Sequence, residues 1–186
     1  MELELSPDKI AALARRIDRP LVLVGLMGVG KSSVGRRLAT VLHLPFSDAD
    51  EEIVHAAQKS IPEMFEQFGE AYFRDGERRV IARLVQSGRG VIATGGGAFV
   101  NPETRALILS KAVAIWLDSD IEVLLERVKR NANRPLLQNG DPREVLTRLK
   151  AERESAYAEA PIHVTSGHGP HTRAISDILK GLDEWL

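Results

Sequence analysis

The segment from Gly25 to Ser32 has the residue types and the spacing of a phosphate-binding loop. It fits the pattern G-x-x-x-x-G-K-S/T and directly follows the apolar run Leu21–Val24. Glycines allow backbone N–H groups to point at phosphate oxygens, Lys31 adds a positive charge for the β- and γ-phosphates, and the Ser32 hydroxyl can bind Mg²⁺. A glycine-rich turn followed by Lys-Ser by chance is the alternative. With a buried strand before it and a helix after it, the segment predicts nucleoside triphosphate binding.

Two carboxylates follow the next predicted strand. Asp48 and Asp50 are separated by one residue. In an extended or turning segment alternate residues point the same way, so both carboxylates could face the nucleotide pocket. There a carboxylate can hold Mg²⁺ through water or accept a proton from an attacking hydroxyl. Taken alone, the segment favours a simpler alternative, in which Asp50 caps a helix and the following glutamates stabilise its positive end.

Three glycines, Gly95–Gly97, follow another apolar run, and two arginines lie in charged helical segments. Glycines after a buried strand let backbone N–H groups approach a ligand closely, although a tight bend would also need them. Arg74 has Glu70 and Glu77 at helical spacing, so its default interpretation is a surface ion pair. Arg153 lies between two glutamates and has the same default interpretation. These arginines are therefore not assigned a function by their surroundings alone.

The segment from Arg130 to Gly140 is polar, rich in turn-forming residues and without apolar periodicity. It lies between two predicted helices, so it is either a mobile lid or an ordinary connection between helices. Arg134 favours the lid, because an arginine that closes over a triphosphate completes the positive charge around it and excludes water. We predict a lid at about residues 130–140.

The composition is typical of a soluble globular protein. The 186 residues are 44% hydrophobic and no Gly/Ser/Pro-rich linker divides them, which predicts a single domain over residues 1–186. The net charge of −1 gives no broad field for nucleic acid or an anionic membrane. The chain has no cysteine, which excludes disulfides, thiolate metal sites and a catalytic thiol. An acidic start and no apolar run of transmembrane length predict a cytoplasmic location, and we expect a monomer.

Short apolar runs alternate with longer amphipathic segments, which is typical of an α/β protein with a parallel sheet and helices on both faces. The predicted strands are Leu21–Gly25, Pro45–Ser47, Val91–Ala93, Ala112–Leu117 and Ile162–Thr165. Capping residues and prolines predict helix starts at Ser6-Pro7, Asn101-Pro102, Asp118-Ser119 and Asp141-Pro142. The first is an accessory helix within residues 1–19, from Asp8 to about Ile17, and the last runs to about Glu159. Another helix should run from Ser32 to about Leu42.

Taken together, these groups resemble the shikimate kinase family from Leu21 to about Pro161. Each block is weak by itself, and the likeness depends on their order: Gly25–Ser32, Phe46–Asp50, Phe73-Arg74 with Glu77, Thr94–Gly97, Arg134–Leu137, and Arg153 with Tyr157. The resemblance implies a three-layer α/β/α fold with a five-stranded parallel sheet, a helical substrate-binding region after the second strand, and a lid. The implied activity transfers the γ-phosphoryl group of ATP to the 3-hydroxyl of shikimate, on the pathway to chorismate and aromatic amino acids.

The resemblance also implies roles for the matching positions. Asp50 would hold substrate hydroxyls and act on the attacking oxygen, as a base or an orienting carboxylate, while Lys31 and Arg134 would stabilise the transferring phosphoryl group. Ser32 would bind Mg²⁺ directly and Asp48 would assist through water. The implied substrate contacts are Asp50, Arg74, Gly96, Gly97 and Arg153, with both arginines on the carboxylate. The implied ATP contacts are Gly28, Val29, Gly30, Lys31, Ser32, Ser33, Arg127, Arg134 and Pro170. Arg127 would lie against adenine, although on a helix it could equally be a solvated charge.

The segment after the last predicted strand, Val164–His171, departs from the family pattern, in which this loop often contains arginine and ends in proline. The resemblance therefore does not fix the adenine contacts. His163, His168 and His171 suggest a metal site, but without a nearby cysteine or carboxylate we interpret them as exposed loop residues. Asp118 ends an apolar run, as the magnesium-binding aspartate does in many phosphate-loop enzymes, and we interpret it instead as a helix cap.

Two other function classes remain open from the sequence. Gluconate kinases share the phosphate loop and the sheet, but Arg74, the Asp48/Asp50 pair and Gly95–Gly97 together favour a carboxylated ring as the substrate. A nucleotide-dependent binding module without catalysis is the second alternative. The presence of Asp50, Arg134 and both substrate arginines, Arg74 and Arg153, argues against it.

Overall fold

The computed structural model describes residues 4–130 and 140–186, and within them five strands form one parallel sheet. The strands are β1 (Leu21–Val24), β2 (Phe46–Asp48), β3 (Val91–Ala93), β4 (Val113–Asp118) and β5 (Ile162–Thr165). Their order across the sheet is β2-β3-β1-β4-β5, and each neighbouring pair is parallel. All five predicted strands are confirmed, with ends that differ by no more than one residue.

The helices lie on both faces of the sheet. α1 (Pro7–Arg16), α2 (Lys31–Leu42) and α8 (Thr172–Trp185) contact one another, whereas α4 (Ile61–Gln86) packs on α5 (Pro102–Lys111) and α6 (Ile121–Lys129) packs on α7 (Pro142–Tyr157). The crossovers through α2 and α5 run in opposite directions across the sheet, and because such connections are right-handed, these two helices lie on opposite faces. α3 (Ala49–Ala57) follows β2, and a short 3₁₀ helix, Ala98–Val100, follows β3. The three-layer α/β/α fold is confirmed.

Capping residues begin three helices where the sequence predicts them. The side chains of Ser6, Asn101 and Asp141 accept hydrogen bonds from backbone N–H groups in the first turns of α1, α5 and α7. The start predicted at Asp118 is wrong. Asp118 pairs with β5 as the last residue of β4, and it forms an ion pair of 3.0 Å with Lys150. The helix therefore begins later, at Ile121, after Asp120.

The two central strands are buried between the helical layers. All four residues of β1 and the first five of β4 are buried, as expected for parallel strands covered on both faces. The chain leaves β1 in close contact with β4, since a Cβ at Gly25 would lie 2.2 Å from the carbonyl oxygen of Leu117. Across the two described ranges, no helix combines the length and apolar character needed to span a bilayer.

The carboxyl ends of the strands bring the predicted groups to one edge of the sheet. The phosphate loop follows β1, Asp48 ends β2, and Gly95–Gly97 follow β3. The loop after β5 reaches the same region and ends at His171. In open α/β sheets ligands bind at this edge, so the fold itself assembles a candidate site from distant parts of the chain.

Candidate functional site

The phosphate loop joins β1 to α2 and bounds a cavity of about 380 Å³. Gly30 precedes α2 with φ 99°, a backbone angle that glycine adopts without strain. Lys31 is only 8% exposed, and its ammonium donates hydrogen bonds to the carbonyl oxygens of Gly25 (2.7 Å) and Leu26 (2.9 Å). The lysine thus lies along its own loop, beside the positive end of α2. Both features favour an anion in this cavity.

Ser32 and Asp48 place a hydroxyl and a carboxylate together beside this cavity. Ser32 Oγ donates to Asp48 Oδ2 at 2.5 Å, while Asp48 Oδ1 accepts from the backbone N–H groups of Asp50 (3.0 Å) and Glu51 (3.4 Å). Asp48 is therefore the N-cap of α3, and the alternative in which Asp50 is the cap is wrong, because the extended backbone of a cap occurs at Asp48. The two oxygen donors are of the kind that Mg²⁺ prefers.

Asp50 lies where two cavities meet. The phosphate-loop cavity and a second cavity of about 460 Å³ have Asp50, Gly95 and Gly96 in common. The second cavity combines aromatic, carboxylate and guanidinium side chains; it is lined by Met27, Asp50, Ile61, Pro62, Phe65, Glu70, Phe73, Arg74, Glu77, Gly95, Gly96, Gly97 and Arg153. A carboxylate at this junction can contact ligands in both cavities.

The glycine run gives room to the side chains of the second cavity. A Cβ at Gly97 would lie 2.6 Å from both terminal nitrogens of Arg74, and a Cβ at Gly96 would lie 3.4 Å from Arg153 Nη1. Gly97 has φ −93°, which any residue adopts, so space rather than backbone angle requires glycine there. The two arginines, far apart in sequence, therefore flank consecutive glycines. A tight bend alone does not account for this arrangement.

Arg74 and Glu77 form a largely buried ion pair. Arg74 Nη1 donates to Glu77 Oε1 at 2.8 Å, and Nη2 donates to Glu70 at 3.4 Å, so the default helical pairs are present as well. The Glu77 side chain is 4% exposed, and its Oε2 has no hydrogen-bond partner within the described ranges. Burial raises the pKa of Glu77; the charge of Arg74 opposes this shift, and that of Asp50 adds to it. A Cβ at Gly95 would lie 2.9 Å from Glu77 Oε2 and 3.0 Å from Asp50 Oδ1, which shows how near the two carboxylates are.

Arg153 reaches the glycine run from α7. Its Nη1 is buried and has no hydrogen-bond partner among residues 4–130 and 140–186. One turn later the Tyr157 hydroxyl donates to the carbonyl oxygen of Gly96, which fixes α7 against the run. The default interpretation of Arg153 as a surface charge is wrong. A buried guanidinium N–H without a partner is unfavourable, and an anionic ligand would supply the missing acceptor.

Arg127 joins the phosphate loop to the loop after β5. Its Nη1 donates to the carbonyl oxygen of Val29 (2.8 Å) and to Ser166 Oγ (3.3 Å), and its Nη2 donates to the carbonyl oxygen of Gly167 (2.6 Å). The alternative of a solvated charge on a helix face is therefore wrong. The contact of Arg127 with adenine stays a prediction.

The remaining predicted nucleotide residues divide into four groups. Gly28, Gly30, Lys31, Ser32 and Ser33 line the phosphate-loop cavity. The Val29 side chain is buried in the core and only its backbone bounds the site. Pro170 lines an adjoining cavity of about 510 Å³. Arg134 and all but the two end residues of the lid predicted at about residues 130–140 lie outside the described residues.

The three histidines differ in position, because His163 lies within β5 while His168 and His171 lie in the loop after it, so the prediction of a loop position is wrong for His163. His163 stacks on Trp116 with ring centroids 3.9 Å apart, and His168 is exposed, 3.3 Å from Glu126. His171 lines the phosphate-loop cavity and its Nδ1 is buried, so the prediction of an exposed loop residue is wrong there. Over the part of the chain that the structure describes, no group of three or more His, Cys, Asp or Glu side chains could hold a metal ion.

Three residues of the site have contacts that the sequence did not predict. Glu77 was interpreted only as a partner of Arg74, although its position in the matched block was a usable signal. Tyr157 and His171 had no assigned contact. Their distances from Gly96 and Gly30 depend on how α7 and the last loop pack, and no local pattern encodes that packing.

The chain is similar to shikimate kinases over most of its length. The family model described as shikimate kinase matches residues 27–183. A shikimate kinase from Novosphingobium aromaticivorans is 62% identical over 186 residues and covers 98% of this chain and 96% of its own. One from Caulobacter vibrioides is 60% identical over 164 residues and covers 88% and 82%. The solved structure of shikimate kinase from Acinetobacter baumannii in complex with shikimate has a TM-score of 0.83 at 32% identity, and covers 97% of this chain and 96% of its own.

Proposed function

Because the chain belongs to the shikimate kinase family, we propose that it transfers the γ-phosphoryl group of ATP to the 3-hydroxyl of shikimate, giving shikimate 3-phosphate and ADP. The observation that carries the proposal is the position of Asp50 between a phosphate-loop cavity and a cavity with two arginines. A nucleotide in the first cavity and a hydroxylated carboxylate in the second would meet at this residue. Such placement removes much of the entropic barrier to their reaction.

In the second cavity, Arg74 and Arg153 would bind the carboxylate of shikimate. Glu77 and Glu70 already hold the Arg74 guanidinium in place, and Arg153 Nη1 has a donor to offer. Planar guanidinium groups match the two oxygens of a carboxylate, and that match distinguishes a carboxylated ring from a neutral sugar. Asp50 and the Oε2 of Glu77 would accept hydrogen bonds from the ring hydroxyls.

In the first cavity, the backbone from Gly28 to Ser33 would hold the phosphates of ATP, and Lys31 would exchange its carbonyl partners for phosphate oxygens. Ser32 and Asp48 would hold Mg²⁺, which when bound offsets the charge of the β- and γ-phosphates. Arg127 and Pro170 would bound the adenine. Arg134 would contribute its charge from the segment beyond the described residues.

The transfer step then needs little covalent chemistry from the protein. The 3-hydroxyl oxygen forms a bond to the γ-phosphorus as the bond from that phosphorus to the bridging oxygen breaks, and ADP leaves with the electron pair. The Asp50 carboxylate accepts a hydrogen bond from the 3-hydroxyl and so orients it; acting as the base, it takes the hydroxyl proton as the new bond forms. Lys31 and Arg134 stabilise the charge that moves onto the bridging oxygen and the transferring group.

The test is ADP release with shikimate, gluconate and nucleoside monophosphates as acceptors. We expect ADP release with shikimate and not with gluconate or the nucleoside monophosphates. Release with gluconate and not with shikimate would support a gluconate kinase, and ATP binding without transfer to any acceptor would support a binding module.

The variant that tests the role of Asp50 is Asp50→Asn, which keeps the shape of the side chain but removes its capacity to take a proton. Turnover at saturating shikimate should fall by about 10²–10⁴-fold, the usual effect of losing a general base. ATP binding and thermal melting should persist. Asp8→Asn, on the exposed surface of α1, is the control. Turnover of the Asp50 variant close to that of the control would exclude the assigned role.

We also propose that the chain acts as a single-domain monomer in the cytoplasm, without nucleic acid or membrane partners. The net charge of −1 supports the absence of a nucleic-acid surface. Sedimentation equilibrium over a range of protein concentrations tests the monomer.

A further inference from the structure

His171 occupies a position in the nucleotide site that the family resemblance did not assign. It is the N-cap of α8, where the loop after β5 ends, and it lines the phosphate-loop cavity. A Cβ at Gly30 would lie 3.4 Å from His171 Cε1 and 3.6 Å from Arg127 Nη1. A side chain at position 30 would thus contact the imidazole, which lies beside the phosphate loop. It also lines the adjoining cavity that contains Pro170, so it stands between the two parts of the site.

One nitrogen of this imidazole lacks a hydrogen-bond partner among residues 4–130 and 140–186. His171 Nδ1 is buried and has no partner within the ranges that the structure describes. Burial lowers the pKa of His171, and the charges of Arg127 on α6 and Arg37 on α2 lower it further. The positive end of α8 acts in the same direction. The imidazole is therefore neutral in the free protein near neutral pH.

A bound nucleotide would change the net charge around His171, which the other charged groups of the cavity set in the free protein. Lys31 and Arg130 line it as cations, and Asp48 and Asp50 line it as carboxylates. A bound polyphosphate would add several negative charges next to Gly30, close to the imidazole. An opposite charge nearby favours the protonated form of histidine, so the same residue that is neutral in the free protein can pair with phosphate in the complex.

We propose that His171 is a nucleotide-binding residue, which contacts a phosphate oxygen of the bound nucleotide on the Gly30 side of the cavity and takes up a proton as the nucleotide binds. The proposal rests on the proposed function only in that this cavity holds ATP or ADP. It adds a positive donor from the last loop to those of the phosphate loop. It also explains why a histidine with a buried, unpartnered nitrogen lies beside a cluster of cations.

The experiment is calorimetry of ADP binding with Mg²⁺ at pH 7 in two buffers that differ in ionisation enthalpy. The difference in apparent enthalpy gives the number of protons taken up by the protein and ligand together. His171→Gln keeps a side chain of similar reach that cannot be protonated, and His171→Asn is the second variant, used in case the first lowers thermal stability. His168→Gln is the matched control, since His168 is the exposed histidine of the same loop.

We expect proton uptake by the parent protein and by the His168 variant, and less uptake by both His171 variants. ADP affinity should fall by about tenfold or more in the His171 variants, as for the loss of one charge-assisted hydrogen bond, with shikimate binding unchanged. If the His171 variants bind ADP with the affinity and proton uptake of the parent, the proposal is overturned. If the parent protein itself fails to bind ADP, it is the proposed kinase function that fails.

Discussion

Substitution of Gly97 by alanine tests whether the glycine run sets the position of Arg74. The added Cβ would lie 2.6 Å from both terminal nitrogens of Arg74 and 2.7 Å from the carbon between them. To restore an ordinary contact of about 3.4 Å, the guanidinium must withdraw by roughly 0.8 Å. The backbone need not move, because φ −93° is accessible to alanine. The change therefore acts on one side chain of the proposed shikimate site and leaves the fold intact.

The size of the effect follows from what Arg74 would lose. A charge-assisted hydrogen bond contributes about 1.5–3 kcal/mol, which corresponds to roughly 10- to 150-fold in affinity. A displacement near 1 Å at a reacting site can likewise reduce the rate by about 100-fold. We expect Gly97→Ala to lower kcat/KM for shikimate by one to two powers of ten, mostly through KM, with ADP binding unchanged.

The assay is ADP release under titration with shikimate, combined with calorimetry of nucleotide binding and thermal melting. Gly76→Ala is the matched control. Gly76 lies in α4 close to Arg74, and a Cβ there would meet no atom within 4 Å. It should leave the kinetics unchanged and stabilise the helix by up to about 1 kcal/mol. A shikimate KM for Gly97→Ala within twofold of the control would refute the steric reasoning.

Three further substitutions test single features of the site. The folded-state pKa of Glu77 lies above its ordinary value of 4.5. The stability contributed by the protonated form is therefore complete below about pH 4.5 and is lost as pH rises through the folded-state pKa. Glu77→Gln should raise the melting temperature at neutral pH and should no longer raise it in acid. A melting difference that does not depend on pH would contradict this. Arg153→Lys should weaken shikimate binding about tenfold or more by calorimetry, compared with Arg148→Lys on the exposed side of α7, because lysine keeps the charge but loses the planar fork that would meet the carboxylate. Gly69 has φ 81° and ψ 172°, which interrupts the helical backbone of α4 with a kink, so Gly69→Ala should lower the free energy of unfolding in urea by about 1 kcal/mol or more; an unchanged denaturation midpoint would show that the kink relaxes.

Local patterns in the sequence predicted most of the fold. The strands β1, β3 and β4 are short and mainly apolar runs, and each correctly predicted cap is one polar residue beside a proline, so a few neighbouring residues decide them. The start of α6 failed because β5 pairs with Asp118 and extends β4 beyond the apolar run. That pairing is a tertiary interaction, and the Asp-Ser sequence does not contain it.

The candidate site likewise has features that local sequence predicts and features that depend on tertiary packing. The phosphate loop could be predicted because its ligand-binding groups lie within one short segment. The residues that the arginines face could not be predicted, because the fit of Arg74 against Gly97 depends on the packing of α4 against the loop after β3. Asp48 rather than Asp50 is the cap because β2 runs directly into α3, so that the last residue of the strand is also the residue before the first residue of the helix.

The hydrogen bonds of Arg127 have a consequence for the synthesis of the protein. They connect the carbonyl oxygen of Val29, made early, to Ser166 and Gly167, made after the last strand. Because translation proceeds from the amino terminus, a nascent chain that has not yet released β5 already contains the phosphate loop, but Arg127 lacks two of its three partners. The nucleotide site is thus finished among the last parts of the fold. Ribosome-bound chains of increasing length should gain ADP binding only after residue 171 has left the exit tunnel, so nucleotide can stabilise the finished protein without trapping its incomplete forms.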